Sequence, residues 1–232
     1  MNTNPEAILI TGASARIGLE LAKESLRMGF HVVLHYRSSP EPARTYFKDE
    51  TRVHFLYAEL KDYPEQLVEQ ANDLPLRLKG LVNNASIFTQ GNLSDTDHFQ
   101  QILNINVMIP VKLCARFVQF SNRGWIVNIT DAHVNRFSSR YQNYRISKKL
   151  LTELTTQQAS LFAPDFRVNA IAPGAILRAE SESEEEFGSL AERIPLRRTG
   201  NVKSIRQAYR FLVENEYVTG TVIPVDGGWH LD

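Results

Sequence analysis

Residues 7–28 read AILITGASARIGLELAKESLRM, and the rest of the chain follows from how they fold. Ala7–Ile10 is a short apolar run, Thr11-Gly12 opens a turn, and the segment Ile17–Met28 offers Leu19, Leu21, Ala22 and Leu26 for burial. Strand, tight turn and amphipathic helix is the natural reading. At such a turn the backbone N–H groups and the positive end of the helix can hold a pyrophosphate. Gly12 permits the turn and Gly18 lets the helix approach the strand.

The same alternation continues outward. His31–Tyr36, Val53–Tyr57, Leu78–Asn83, Trp125–Ile129, Phe166–Ile171 and Thr221–Val225 read as strands. Pro42–Lys48, Pro64–Ala71, Phe99–Phe120, Asn143–Phe162 and Val202–Val213 read as the intervening helices. Strands alternating with helices predict a parallel sheet covered on both faces, and right-handed crossovers make it a doubly wound, Rossmann-type α/β fold of about seven strands. With 232 residues, a single domain spanning residues 1–232 is expected.

The bulk composition narrows the partners. Lysine plus arginine equal aspartate plus glutamate at 26 each, so no global field recruits nucleic acid or an anionic membrane. Cys114 is the only cysteine, which excludes an internal disulfide and predicts a buried thiol in a reducing compartment. The opening MNTNPEA lacks signal-peptide character and no apolar run approaches membrane-spanning length, so a cytoplasmic protein is expected.

The carboxyl end of the second strand selects a nucleotide. A carboxylate there would bond a ribose 2′-hydroxyl, but Leu34–Ser39, LHYRSS, offers His35, Arg37 and two serines and no acid. Arg37 and Arg16 can supply charge-assisted contacts to a 2′-phosphate, which predicts NADPH over NADH.

A second constellation supplies chemistry. Tyr144 and Lys148 stand at i and i+4 in a segment whose Ile146, Leu150 and Leu154 suggest a helix, so both project from one face. A neighbouring ammonium is expected to favour the phenolate and bring the tyrosine towards neutral pH. Asp131 lies thirteen residues before the tyrosine, at the carboxyl end of the strand Trp125–Ile129, where open α/β sheets place their sites.

These motifs fall in a familiar order. TGASARIG, Asn83–Ser86 (NNAS), Asn106, Tyr144-Arg-Ile-Ser-Lys148, Pro173-Gly174 and the terminal VDGG of Val225–Gly228 resemble the short-chain dehydrogenase/reductases along nearly the whole chain. That resemblance implies a single-domain NAD(P)(H) oxidoreductase, usually a homotetramer or homodimer. It implies cofactor contacts from Gly12, Arg16, Ile17, His35, Tyr36, Arg37, Ser38, Glu59, Leu60, Asn84, Ala85, Ser86, Thr130, Tyr144, Lys148, Pro173 and Gly174. Glu59 stands where an aspartate often meets adenine, and Asn106 resembles the helix asparagine that supports a proton-relay water.

Two departures are more selective. Arg16 replaces the second glycine of the family's turn, and Asp131 replaces its catalytic serine; with Ile87-Phe88 after NNAS, both resemble the pteridine reductase branch, including bacterial dihydromonapterin and dihydropteridine reductases. In that branch the turn arginine reaches cofactor phosphate and pterin, the NNAS serine sits beside them, and a phenylalanine stacks on the pterin. Arg16, Ser86, Phe88, Asp131 and Tyr144 are the corresponding substrate residues here. The chemistry agrees, because an ionised carboxylate only accepts hydrogen bonds, which suits a pterin rich in N–H donors better than a ketone oxygen. The resemblance thus implies NADPH-dependent reduction of a 7,8-dihydropterin, with dihydrofolate as a further substrate. Tyr144 is the candidate acid, directly or through water.

Residues 175–195, including the run ESESEEE at 180–186, resemble the family's substrate loop and predict a mobile lid. Some pteridine reductases bring a partner's carboxyl terminus to the site, and Trp229–Asp232 could act so. The competing readings are reduction of a ketone, sugar or 3-oxoacyl thioester, and an NADP(H) sensor without turnover.

Overall fold

The computed structural model describes residues 4–178 and 182–231. Each central strand alternates sides, so one strand feeds two cores. In β1 (Glu6–Ile10), Ile8 and Ile10 join one apolar cluster, whereas Ala7 and Leu9 join the other. β2 (His31–Tyr36), β3 (Val53–Tyr57), β4 (Arg77–Asn83), β5 (Gly124–Ile129), β6 (Phe166–Pro173) and β7 (Val222–Val225) complete a seven-stranded sheet. Its order is β3-β2-β1-β4-β5-β6-β7, with every pairing parallel.

One face is covered by α1 (Arg16–Arg27) and α8 (Val202–Glu214), which pack on each other. Glu20 and Glu24 of α1 meet Arg206 and Arg210 of α8 along that seam, and Ser25 Oγ lies 2.8 Å from Tyr209 Oη. The short helix α2 (Ala43–Tyr46) adds Ala43 to the same cluster. The other face carries α3 (Glu65–Asn72), a helical stretch over 96–120, and α6 (Gln142–Phe162). Chain direction along the sheet reverses between β1 and β4, and the ligand crevice of a doubly wound sheet opens at that switch point.

Four expectations change in the structure. The predicted helix Phe99–Phe120 starts earlier and is not uniform: α4 (Thr96–Leu103) runs through a π-helical turn, Asn104–Met108, into α5 (Ile109–Phe120). Asp95 sets the start by accepting from the His98 N–H at 3.1 Å, an N-cap role. This 25-residue stretch is also long and apolar enough to cross a membrane by length and composition, contrary to the sequence reading. Here it packs on α3, α6 and β4 as a helix of the fold.

Helix α6 forms as predicted, but the apolar residues whose spacing suggested it are not the ones it buries. Ile146 and Leu150, which suggested the helix, are 39% and 41% exposed, whereas Tyr144, Ser147, Lys148, Leu151 and Thr155 are buried. The polar residues turn inward because Asn106, Asn128 and the carbonyl of Ile129 supply their partners. Finally, the acidic run contains a helix that the charge pattern hid. Ser183 and Glu186 form a reciprocal capping box at the start of α7 (Glu184–Ser189), followed by a 3-10 turn, Leu190–Arg193. Residues 179–181 of the expected lid lie outside the described residues.

Candidate active site

The inner end of the crevice is a hydrogen-bonded weld between the β1 turn and the segment after β4. Thr11 Oγ1 donates to Val82 O (3.2 Å) and accepts from the N–H groups of Asn84 (2.9 Å) and Ala85 (3.0 Å). Asn84 Nδ2 donates back to the carbonyls of Thr11 (2.9 Å) and Gly12 (2.8 Å). Gly12 takes φ of 60°, and a Cβ there would lie 3.0 Å from Ala85 Cα. A Cβ on Gly18 would fall 2.4 Å from Gly12 O and 2.6 Å from Asn84 Nδ2, so only glycine lets α1 start this close to the turn.

His35 belongs to this weld. Its Nδ1 accepts the Gly12 N–H (3.1 Å), and its Nε2 donates to Ala58 O (3.0 Å). Burial pushes its pKa down and keeps it neutral, consistent with one accepting and one donating nitrogen. Both ring nitrogens of His35, which the sequence assigned to the cofactor, are engaged within the protein and fix the turn, while the residue still lines the cleft.

Arg16 adopts φ of 52°, the left-handed region that a non-glycine residue occupies at about 1–2 kcal/mol. Its guanidinium Nη2 donates to Arg178 O at 2.9 Å, tying the glycine turn to the start of the 175–195 segment. Arg37, Ser38 and Glu59 are exposed at the mouth beyond β2 and β3.

At the carboxyl end of β5, Asp131 stands between two donors. Its Oδ1 accepts the His133 N–H (2.7 Å) and its Oδ2 accepts the Tyr144 hydroxyl (3.2 Å). Asp131 is therefore both a turn cap and a partner of the tyrosine. Lys148 Nζ donates to Ile129 O (2.8 Å) and lies 6.0 Å from the centre of the Tyr144 ring. Burial lowers its pKa to about 8, with Asp131 opposing.

The expected pull of Lys148 on the phenol is not what governs Tyr144. Burial, then the charge of Asp131 and the hydrogen bond to it, push the phenol well above its ordinary range. The hydroxyl thus holds its proton and points it at a carboxylate.

Phe88 is 53% exposed. Its ring stacks on Tyr141 (4.6 Å between centres, 4° between planes) and meets the edge of Tyr144 at 4.7 Å. Asn106 sits in the π-helical turn and does not reach the cleft. It accepts from the Ile87 N–H (2.8 Å) and Ser86 Oγ (3.1 Å), and donates to Ile87 O (3.0 Å) and Ser147 Oγ (3.0 Å). Its side chain staples the NNAS segment to α6.

These groups line one cleft of about 530 Å³ that runs from Arg37 and Ser38 past the glycine turn to Asp131, Tyr144 and Pro173-Gly174. Every predicted site residue except Asn106 lines it: Gly12, Arg16, Ile17, His35, Tyr36, Arg37, Ser38, Glu59, Leu60, Asn84, Ala85, Ser86, Phe88, Thr130, Asp131, Tyr144, Lys148, Pro173 and Gly174. Thr130 does so with its hydroxyl directed to Ile171 O (3.2 Å). Sequence reasoning missed Ser14, Lys61, Ile176 and Leu177 in the lining, and Tyr141 behind Phe88. Tyr141 had a signal, since it stands three residues before Tyr144 at the entry to the helix.

A parallel seven-stranded sheet with this turn, this tyrosine–lysine pair and this cleft has a family. The model described as enoyl-(acyl carrier protein) reductase matches residues 12–230, and the chain belongs to the short-chain dehydrogenase/reductase family. Among its relatives, protein FixR of Bradyrhizobium diazoefficiens is 31% identical over 98% of this chain and 87% of its own length. A dihydromonapterin reductase of Klebsiella pneumoniae is 30% identical over 97% of this chain and 96% of its own. The crystal structure of FolM alternative dihydrofolate reductase 1 from Brucella suis, in complex with NADP, superposes with a TM-score of 0.91 at 30% identity, over 100% of this chain and 96% of that one.

Proposed function

We propose that the chain reduces a 7,8-dihydropterin to the tetrahydropterin with NADPH. The observation that carries this reading is the Asp131–Tyr144 hydrogen bond with the exposed face of Phe88 beside it. The kinship with dihydromonapterin reductases and with an NADP-bound FolM structure supports it.

The cleft suits the dinucleotide. Glycines stand where a Cβ would block the β1 turn, backbone N–H groups open α1, and an exposed Arg37, at a β2 end that carries no acid, waits at the mouth for a 2′-phosphate. Lys148, buried beside Tyr144, would hold the nicotinamide ribose. When bound, NADPH supplies a hydride to C6 of the pterin. The protein's own residues do the rest: Phe88, backed by Tyr141, is a flat shelf for the heterocycle. The Asp131 carboxylate accepts from the pterin's N–H groups, and the Tyr144 hydroxyl, directly or through a water, passes to N5 a proton that solvent replaces. Ser86 and Arg16 flank the ring.

An oligomer of identical chains fits the surface. Ile146, Leu150 and Leu161 of α6, with Met108 and Phe120 of the neighbouring helical stretch, leave large apolar side chains exposed. A cytoplasmic setting accords with the single buried thiol.

The deciding experiment follows NADPH oxidation with dihydrobiopterin, dihydromonapterin and dihydrofolate beside a ketone and an acetoacetyl thioester. Turnover on the dihydropterins is expected. Turnover only on the carbonyl compounds removes the pterin assignment, and tight NADPH binding with no turnover on either set points to a sensor.

A further inference from the structure

Asp131 is anchored from an unexpected direction. Its Oδ1 is held by the His133 N–H, and a single side-chain turn of this kind contributes only about 1 kcal/mol. The His133 ring, however, meets the indole of Trp229 edge to face, with centres 4.0 Å apart and planes at 86°. Trp229 is buried and forms a small apolar cluster with Ala175 and Ile194, onto which Phe187 and Leu190 pack. The carboxyl-terminal segment is set there by Asp226, which accepts from the N–H groups of Gly228 (3.0 Å) and His230 (2.6 Å).

Two buried nitrogens in this arrangement, His133 Nε2 and Trp229 Nε1, have no hydrogen-bond partner among the described residues. A buried indole N–H without a partner opposes folding by about 1–3 kcal/mol, so packing and not hydrogen bonding holds the two rings together. The groups acting on His133 come from several elements: Asp131 and Asp226 favour its charged form, while burial, Arg136 and Arg145 oppose it and prevail. Arg193 and Arg136 also lie over the Trp229 ring, at 5.9 Å and 5.7 Å, and His230 pairs with Asp226.

We propose that His133 is a positioning residue: its ring, seated on Trp229, holds the 131–133 turn closed so that Asp131 presents Oδ2 to the Tyr144 hydroxyl. Through Phe187, Leu190 and Ile194 the same tryptophan makes that hold depend on the seating of residues 183–194. The carboxyl-terminal segment thereby connects the wall beside the substrate to the proton donor. The inference rests on the reading of Asp131 and Tyr144 as the working pair.

A mutant cycle tests it. His133→Phe and Trp229→Phe, which preserve edge-to-face packing, should keep kcat on dihydrobiopterin within about twofold. His133→Ala and Trp229→Ala should each lower kcat about tenfold at unchanged KM for NADPH, because a small misplacement of a catalytic group is enough to slow chemistry. The double alanine variant should be no slower than the slower single one, since both remove one contact. Wild-type kcat in His133→Ala, or losses that multiply, would overturn the clasp.

An optical readout separates this inference from the functional reading. In a Trp125→Phe background Trp229 is the sole indole, and its emission should fall on acidification as the adjacent imidazole gains a proton. His133→Phe should abolish that step. An enzyme inactive on every dihydropterin but showing the step retains the clasp and loses the pterin assignment; emission independent of His133 sinks the clasp whatever the substrate.

Discussion

At the inner end of the cleft, Thr11, Asn84 and His35 direct side-chain polar atoms at protein backbone. At its rim, Phe88, Arg37 and Glu59 are exposed, and Arg16 holds on by its guanidinium to a neighbouring loop. The two regions sit in one cleft yet divide the work. Buried polar atoms cannot be left unpaired, so the inner residues are consumed in shaping a backbone cradle. Exposed side chains bear no such penalty and remain available to a ligand. Tyr144 stands at the border, buried to 8% exposure but with its hydroxyl on Asp131 in the cleft wall.

If that division holds, substitutions should separate into those that change rate and those that change stability. Tyr144→Phe is expected to have the largest effect on rate. Removing the hydroxyl should lower kcat about 10²- to 10⁴-fold, the usual contribution of a positioned acid, while NADPH affinity measured by fluorescence changes less than about threefold. Undiminished turnover would take the tyrosine out of the chemistry. Thr11→Val is the converse case. It strips the acceptor from the N–H groups of Asn84 and Ala85, so about 2–4 kcal/mol of stability should be lost and the melting temperature should fall by about 5–15 °C. A variant as stable as the parent but slow would put Thr11 on the catalytic side and break the division.

At the rim the expected effects are smaller. Phe88→Ala removes a shelf whose stacking contributes about 0.5–1.5 kcal/mol beyond area burial, so KM for the dihydropterin should rise about three- to tenfold. Melting temperature should stay within about 2 °C, because Phe88 is half exposed and leaves little cavity. A large stability loss instead would mean that the stack on Tyr141 is structural.

The sequence made the cradle legible because its geometry is written in residues with few alternatives. Gly12 and Gly18 mark places where no side chain fits, and strands alternating with helices fix the sheet. What it concealed were roles decided by distant partners. Nothing local says that His35 faces Gly12 across 23 residues and is consumed there, or that Asn106 stitches Ile87 to Ser147. The buried residues of α6 escaped notice for the same reason: Ser147 and Thr155 look like surface residues until Asn106 and Asn128 are placed opposite them. The acidic run hid α7 because net charge says nothing of capping, whereas Ser183 followed three residues later by Glu186 did carry that signal.

The charge of Lys148 offers the subtlest test, because its two consequences run in opposite directions. Burial lowers the ammonium's pKa to about 8, with Asp131 opposing, from an unfolded value near 10.5. Between those values the unfolded chain binds more protons than the folded one, so Lys148 should make the cofactor-free protein more stable as pH rises from about 8 to about 10.5. Cofactor binding should respond in the other sense. A ribose hydroxyl held by the ammonium favours the protonated state, so NADPH affinity should weaken severalfold as the pH passes above about 8. Lys148→Arg keeps its charge throughout this range and should flatten both slopes, even if it binds NADPH less well. Urea unfolding and NADPH titrations from pH 7 to 10 measure the two separately. A lysine that merely braces the carbonyl of Ile129 would show the stability slope alone, whereas one that meets the cofactor must show both, with opposite signs.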